Sequence, residues 1–570
     1  MTDKRQYTPP YTASNKKVLC LKRSKYDSTV MEDLPTELLF EMFTYLNSVD
    51  VIHCFTPLNQ RFRFLVQAQQ NKFDFKSVSK AKMKRFIHEH NTLGVLQWKI
   101  LRLSDDEHTP GQIAFFFEQF PYQQHTSQLE FLSLIHMKPN YAQRILPQLE
   151  IFTNLVSLTL GNICGKQIET LNLPLLRSLA ITSCKYNKWI QSFQQLKNLN
   201  YSIKLDCVHE HSLIWPTTLE RLKIYFTQWQ ANEHVYASLQ YLAQLKSLAI
   251  YDNSWAKSYP NGNRWQNLIE SSLPLLTKFQ FCFKFWYDTL SLMDINQILS
   301  TFTTPFYQEK RCFVQCDTHS NQFHEAVLYS LPFAFEQFEL HTDSFGRSKT
   351  TLNDIHLTHE NFFRKVKTLI VNVKCDDVNS DLLNDHVQHL VLTRSDILAD
   401  WLFSMVYVRQ LSLCNQIDML SKDFFYLIKN MPCLDSLNTS FTKLTNLTDE
   451  WKNKLIRDQL SAKVRSLNLS FDQNRSYSTL HYVDPHEILS ILDFFAEKCE
   501  HLTILISSKN IITDSILSTM RKLQSLTVYP KTDDQSIITH DWLRKQDIIK
   551  DLDCSFTINN DECTFWISNQ

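Results

Sequence analysis

Residues 155–160 read LVSLTL and residues 176–181 read LRSLAI, so Leu155, Leu158 and Leu160 are matched by Leu176, Leu179 and Ile181. Both have the form h-x-x-h-x-h, whose last apolar pair stands at the spacing of two that puts side chains on one face of a short strand. Outward from this pair the triplet recurs at Trp98/Leu101/Leu103, Leu129/Leu132/Leu134, Leu219/Leu222/Ile224, Leu245/Leu248/Ile250, Leu276/Phe279/Phe281, Phe335/Phe338/Leu340 and Val366/Leu369/Val371. It continues at Val387/Leu390/Leu392, Val408/Leu411/Leu413, Val464/Leu467/Leu469 and Leu523/Leu526/Val528, with imperfect copies at Ile203/Leu205, Leu434/Leu437 and Leu502/Leu505. Loose triplets arise by chance in a chain that is 43% hydrophobic, so spacing decides. The starts fall mostly about 20 to 31 residues apart, about 26 on average once one missing start between Leu276 and Phe335 is allowed. Amphipathic patterns such as Ile397/Leu398/Trp401/Leu402/Met405 and Ile488/Leu489/Ile491/Leu492/Phe494/Phe495 lie between them. Short strand therefore alternates with helix along the chain.

Triplet and period together resemble leucine-rich repeats. The resemblance implies an α/β fold, a right-handed leucine-rich-repeat solenoid of alternating short parallel strands and helices, with about 16 irregular repeats over residues 94–570. In that family an Asn or Cys three residues after the triplet bonds the turn leaving the strand, and here it stands in register only at Cys184 and Asn253. Irregular turns are expected, with Asp106, Asp343, Asp472, Thr227, Ser395 or Thr442 as substitutes. The positions between the leucines face the opposite, concave side. They give a small polar lining such as Ser157/Thr159, Ser178/Ala180, Ser247/Ala249, Ser436/Asn438/Ser440 and Ser466/Asn468/Ser470. Midway, Lys204, Arg221, Lys223, Tyr225, Tyr251 and Lys278 form a basic and aromatic sector. Arg and Tyr are typical interface anchors, which makes this sector the candidate substrate-binding site.

Upstream, residues 31–67 read MEDLPTELLFEMFTYLNSVDVIHCFTPLNQRFRFLVQ. Pro35 fits the first position of a helix and Glu37 its first turn. Leu38, Met42 and Leu46 make one apolar stripe, which Asn47 and Ser48 break. Asp50 opens a second segment with Val51, Ile52 and Phe55 that Pro57 closes, and Leu58, Phe62, Leu65 and Val66 form a third. Three short helices bury little surface alone, so a partner is expected. Leu34-Pro35-x-Glu37-Leu38, Phe43, Leu46, Asp50-Val51, Leu58-Asn59 and Phe62-x-x-Leu65 resemble the F-box in order and spacing. Phe62 stands where many members carry Trp, and Val51 where Leu is frequent. The resemblance implies a small three-helix F-box at residues 31–70 docking on a Skp-family adaptor. The residues matching the motif are Leu34, Pro35, Leu38, Phe43, Leu46, Val51, Leu58, Phe62 and Leu65, some of which must hold the helices together instead. Residues 1–30 carry seven Lys and Arg against Asp3 and Asp27 and read as a disordered basic tail, and residues 71–93 as a helical linker.

Composition narrows the chemistry. The 570 residues carry 59 Lys+Arg against 59 Asp+Glu, so no global field favours nucleic acid or an anionic membrane. Only 6 Gly leave little material for phosphate-cradling loops, and the Gly161–Lys166 stretch has one residue too few between its glycines for a P-loop. The 14 Cys follow no apolar leader, which points to a reducing cytoplasmic or nuclear location. No run reaches the roughly 18 apolar residues that span a bilayer. Cys312-x3-Cys316-x2-His319-x4-His324 has zinc-ligand types within reach of one ion, but cysteine is as readily a small buried hydrophobe, and no metal or cofactor is expected. No HExxH, GxSxG or paired-carboxylate motif appears, so a non-catalytic chain is expected.

Both resemblances together imply the substrate-recognition subunit of an SCF-type E3 ubiquitin ligase, with a Skp-family adaptor leading to a cullin-RING ligase and an unknown protein substrate on the solenoid. The alternatives are a non-ligase interaction scaffold and a ligand-sensing receptor with a polyanion pocket in the basic sector. The C-terminal Phe556, Ile558, Phe565 and Trp566 are expected to form a last strand covering the solenoid's open edge.

Overall fold

Asn47 and Asn59 begin two of the chain's first three helices, each with its side-chain oxygen accepting a backbone N–H, from Val49 at 2.8 Å and from Phe62 at 3.0 Å. A computed structural model describes residues 31–69 and, from 72 to 568, all except 94–97, 121–127, 162–167, 169–170, 185–187, 204–212, 227–230, 257–259, 287–294, 319–324, 341–348, 352–361, 372–385, 394–399, 472–480, 532–536 and 560–561. The basic tail therefore lies outside the described residues. The chain divides into two units, Met1–Gln69 and Gln70–Gln570.

In the first unit α1 (Thr36–Thr44), α2 (Ser48–Phe55) and α3 (Gln60–Gln69) pack around Phe43, Phe55 and Phe62, with ring centroids 4.9 and 5.6 Å apart. Pro35 is the residue just before α1 rather than its first helical residue. Arg61 of α3 donates to the carbonyl of Leu34 at 2.7 Å, tying the entry of α1 to the third helix.

The second unit begins with nine parallel strands among the described residues: β1 (Lys72–Asp74), β2 (Ile100–Ser104), β3 (Phe131–Ile135), β4 (Ser157–Gly161), β5 (Ser178–Cys184), β6 (Asn198–Ile203), β7 (Arg221–Phe226), β8 (Ser247–Ala256) and β9 (Lys278–Trp286). β10 (Phe313–Thr318), β11 (Glu325–Leu331) and, beyond β12 (Gln337–Leu340), β13 (Lys349–Thr350) extend this sheet antiparallel in the order β9-β11-β10-β13. A second sheet holds β12, β14 (Thr368–Val371), β15 (His389–Leu392), β16 (Gln410–Leu413), β17 (Ser436–Asn438), β18 (Ser466–Asn468), β19 (His501–Ile506) and β20 (Ser525–Pro530), all parallel. The antiparallel pair β21 (Cys554–Ile558) and β22 (Cys563–Ile567) ends it, with β22 against β20.

The middle residue of each triplet fixes the register. Leu101, Leu132, Leu158, Leu179, Leu199, Leu222, Leu248 and Phe279 stand side by side from β2 to β9. Phe338, Leu369, Leu390, Leu411, Leu437, Leu467, Leu502 and Leu526 do the same from β12 to β20. All are buried. Connecting helices add their own apolar stripes to this core, among them Trp265, Leu268 and Ile269 from Gly262–Ser272 and Phe424, Leu427 and Ile428 from Ser421–Lys429. One buried leucine or, in β9 and β12, phenylalanine per strand, stacked strand after strand, defines a leucine-rich α/β solenoid.

Three expectations need correction. Residues 71–93 are not a linker: β1 pairs in parallel with β2, and α4 (Lys80–Leu93) completes a first strand–helix unit. Phe73, Phe75 and Phe86 pack on Trp98, at 4.5, 6.3 and 5.9 Å, and fill the end of the core. The copy at Ile203/Leu205 is instead Leu196/Leu199/Tyr201, because Leu199 is the residue that pairs with Leu179. Where one start was missing, the chain makes the antiparallel excursion β10–β11, and the single solenoid becomes two sheets.

The sheets share one core. Tyr251, Cys282 and Tyr329, on the face of the first sheet opposite its leucines, belong to the same apolar cluster as Phe335 and Phe338 at the start of the second. A pair buried on its lysine side, Lys284 of β9 with Glu339 of β12, crosses the same junction. At the other end the unit closes on itself. Lys84 of α4 pairs with Asp553, Lys138 Nζ lies 2.7 Å from Glu562, and the Phe115 and Trp566 rings meet edge-on at 5.5 Å. Trp566 and Phe565 are fully buried, so the C-terminal segment covers the sheet end, as strand composition suggested.

Candidate binding surfaces

The three-helix unit sorts the nine residues of the motif into two roles. Phe43 (2% exposed), Val51 (0%), Phe62 (0%) and Leu65 (5%) form the core between the helices and cannot touch an adaptor, which corrects their place among the candidate contacts. Leu38 (47%), Leu46 (45%) and Leu58 (52%) are exposed, as is Pro35, and Leu34 is half-buried with its carbonyl held by Arg61.

The basic and aromatic sector is placed differently from its sequence reading. Lys204 lies outside the described residues. Tyr225 and Tyr251 are 5.8 Å apart and enclose Phe335 at 5.7 and 5.0 Å, while Lys223 Nζ lies 5.0 Å over Tyr225 and 5.1 Å over Phe335. Burial pushes both phenols up and the Lys223 ammonium down. The two tyrosines therefore hold the junction of the sheets, and Tyr251 is buried away from any substrate. Arg221 and Lys278 remain exposed at the strand starts, where burial and then repulsion from Lys365 and Arg221 lower the Lys278 ammonium.

A different site lies along the starts of β14 to β20. There a cleft of about 550 Å³ is rimmed by Lys367, Gln388, Arg409, Asp435, Arg465, Glu500 and Gln524, the residues that immediately precede each strand. Its floor is the first residue of those strands, including His389, Ser436, Ser466 and His501. Behind the floor runs a polar seam: His389 Nε2 is 2.8 Å from Ser412 Oγ, which accepts from Asn438 Nδ2 at 3.0 Å. His501 Nδ1 is 2.8 Å from Ser525 Oγ, which donates to the Glu107 carbonyl at 2.6 Å. His108 Nε2 reaches Ser466 Oγ at 3.3 Å from the first sheet's end of the unit. Burial pushes His389 down to about 4 and His501 to about 3, so both are neutral at pH 7. Ser436 Oγ and Asn438 Oδ1, on residues only 7% and 6% exposed, have no hydrogen-bond partner among the described residues. The sequence reading placed Ser436, Asn438 and Ser466 on this face but passed over the rim. The signal was present: the second triplet position is polar or charged in every unit from Lys367 to Gln524.

Among the turn substitutes, Asp106 does what the family's Asn would, its Oδ1 accepting from the backbone N–H of His108 at 3.0 Å and of Thr109 at 3.1 Å. Cys312 and Cys316 are buried free thiols, with burial raising both and Cys312 reaching about 12, whereas His319 and His324 lie outside the described residues. Among the described residues no group of three His, Cys, Asp or Glu is placed to hold a metal ion, and no helix is long and apolar enough to cross a membrane.

A scan against protein-family models finds no match, and a search of curated proteins finds none either. Solved structures that align with the chain include a leucine-rich-repeat protein of Leptospira interrogans, at 15% identity and TM-score 0.21 over 78% of this chain and 92% of that one. The functional domain of InlJ from Listeria monocytogenes aligns at 11% identity and TM-score 0.22, over 79% and 81%. TLR13 in its complex with ssRNA13 aligns at 13% and 0.19, over 76% and 54%. At such TM-scores the likeness supports no conclusion about this chain, and its fold rests on its own strand register.

Proposed function

We propose that the chain is the substrate-recognition subunit of an SCF-type E3 ubiquitin ligase, with α1 to α3 docking on a Skp-family adaptor and the solenoid binding a protein substrate. The observation that carries this reading is the exposure of Leu38, Leu46 and Leu58 on a helical unit whose own core is already complete. Three large aliphatic side chains left in water on so small a unit favour a partner that covers them. The rest of the chain offers extended polar surface and, among the described residues, no constellation of activated acids, bases and nucleophiles, which suits a receptor that carries no chemistry itself. Such a subunit works in the cytoplasm or nucleus.

Affinity purification of the full chain beside a Leu38→Asp/Leu46→Asp/Leu58→Asp variant, with bound proteins identified by mass spectrometry, tests it. Adaptor and cullin recovered with the wild type and lost from the variant support the proposal. Adaptor without cullin favours a non-ligase scaffold, and recovery of neither defeats the ligase reading.

A further inference from the structure

We propose that the cleft along the starts of β14 to β20 binds an extended, acidic peptide segment whose carboxylates, three residues apart, are held by Arg409 and Arg465. That this peptide belongs to a ligase substrate rests on the function proposed above; the binding site itself does not.

The donors of this cleft are not used up within the protein. Arg409 stands on the exposed rim, and its guanidinium makes no hydrogen bond within the described residues, although the Asp435 carboxylate lies near enough to feel its charge. Burial pushes that carboxyl up, against the opposing charges of Arg409, His108 and Arg465. Arg465 is only loosely paired, 3.5 Å from Glu500, whose other carboxylate oxygen accepts from Gln524 at 2.9 Å. Beneath them Ser436 Oγ is buried with no partner among the described residues, and an unsatisfied hydroxyl in a polar floor favours a ligand that pairs with it. Gln388 and Gln410 flank the site with amides that both donate and accept, as a peptide backbone requires.

Spacing selects the ligand. The cations stand on alternate strands, Lys367 before β14, Arg409 before β16 and Arg465 before β18, so neighbours are separated by two strand intervals, about 9.6 Å. Lys367 is already paired with Glu336 at 3.0 Å. A compact polyanion needs its cations converged on one point, and here they are spread along a line. In an extended chain of polyproline II form, three residues make one turn of about 9.3 Å, so side chains i and i+3 lie on one face at a spacing that matches the Arg409–Arg465 interval. Among the described residues no Phe, Tyr or Trp lines the cleft, and its only rings are the imidazoles of His108, His389 and His501.

Panning a random short-peptide display library against the full chain tests the proposal. The expected result is enrichment of Asp or Glu at i and i+3, and a fluorescein-labelled synthetic peptide of that pattern binding the wild type about tenfold more tightly than its isomer with the acids adjacent. Arg409→Gln/Arg465→Gln should weaken binding about tenfold or more with unchanged circular dichroism. Ser436→Ala should weaken it without lowering stability, because its hydroxyl has no partner among the described residues. Recovery of no peptide, enrichment without the i, i+3 spacing, or binding indifferent to the arginines overturns the proposal. Adaptor recovery, measured on the same variants, is expected to be unchanged, so a chain that binds the peptide but no adaptor would defeat the ligase reading alone.

Discussion

Lys138 Nζ lies 2.7 Å from Glu562 Oε1 across 424 residues of sequence, and both side chains are largely withdrawn from water. The pair fastens the third strand–helix unit to the strands that end the chain, beside the buried contact of Phe115 with Trp566. A solenoid whose ends meet cannot unravel from either end without breaking such contacts, so the clasp should raise cooperativity as well as stability. Lys138→Ala should cost about 2 kcal/mol, the scale of a charge-assisted hydrogen bond whose partner is left behind. In urea titrations of Lys138→Ala, Glu562→Ala and the double variant, a coupling of about 1 kcal/mol or more is expected. Additive costs would mean that the two ends are joined without this pair.

The division of apolar residues in α1 to α3 makes a sharper claim than the motif did. Phe43→Ala and Phe62→Ala should each destabilise the helical unit by about 3 kcal/mol or more, since both rings are enclosed. Leu38→Ala, Leu46→Ala and Leu58→Ala should leave its stability within about 0.5 kcal/mol, as expected of exposed positions. Adaptor capture should respond in the opposite order at matched folded fraction. Capture insensitive to all three exposed leucines would show that the adaptor, if any, sits elsewhere.

Phe335 is the wedge between the sheets, touching Tyr225, Tyr251 and Phe333 with centroids 5.0 to 5.7 Å away. Phe335→Ala should cost about 3 kcal/mol. The loss should be local at first, with amide exchange accelerating in β7, β8 and β12 before the remainder of either sheet. Uniform acceleration across both sheets would show that the junction is no weaker than the stacks it connects.

The leucine stack was readable because its period is local: each triplet states its own strand, and equal spacing aligns one with the next. What could not be read was the change from one sheet to two. Lys278–Trp286 reads KFQFCFKFW, with Phe279, Phe281, Phe283 and Phe285 on one face and Lys278, Gln280, Cys282 and Lys284 on the other, so the alternation read as a strand with one face in water. In the structure that strand is covered on both sides, by its own helices and by the start of the second sheet. The same local reading favoured Tyr225 and Tyr251 as binding residues, since an aromatic beside a cation looks alike whether it awaits a partner or already has one in Phe335. The cleft rim was overlooked for the converse reason. Gln388, Arg409 and Asp435 resemble ordinary surface until the strands bring them into one row above an unsatisfied floor.

Asp105 makes stability depend on pH in a direction opposite to that of the usual carboxylate. Its Oδ1 accepts from the Ile113 N–H at 2.8 Å, its Oδ2 is buried with no partner among the described residues, and burial pushes the carboxyl up from an ordinary 3.8 to about 7. Between about pH 4 and 7 the folded chain therefore holds a proton that the unfolded chain has released, so this group's contribution falls as pH rises through that window. Asp105→Asn keeps the acceptor for Ile113 and removes the buried charge. It should stabilise the protein at pH 8, by up to about 4 kcal/mol, and the gain should shrink steadily below pH 7 and vanish near pH 4. His389 and His501 act the other way. Their pKa values are lowered to about 4 and about 3, so each costs stability as pH falls below about 6.5. Both remain in the variant, so subtracting wild-type from variant stability at each pH isolates Asp105. Denaturant titrations from pH 5 to 8 provide the measurement, and a difference that does not grow with pH would place the Asp105 proton elsewhere.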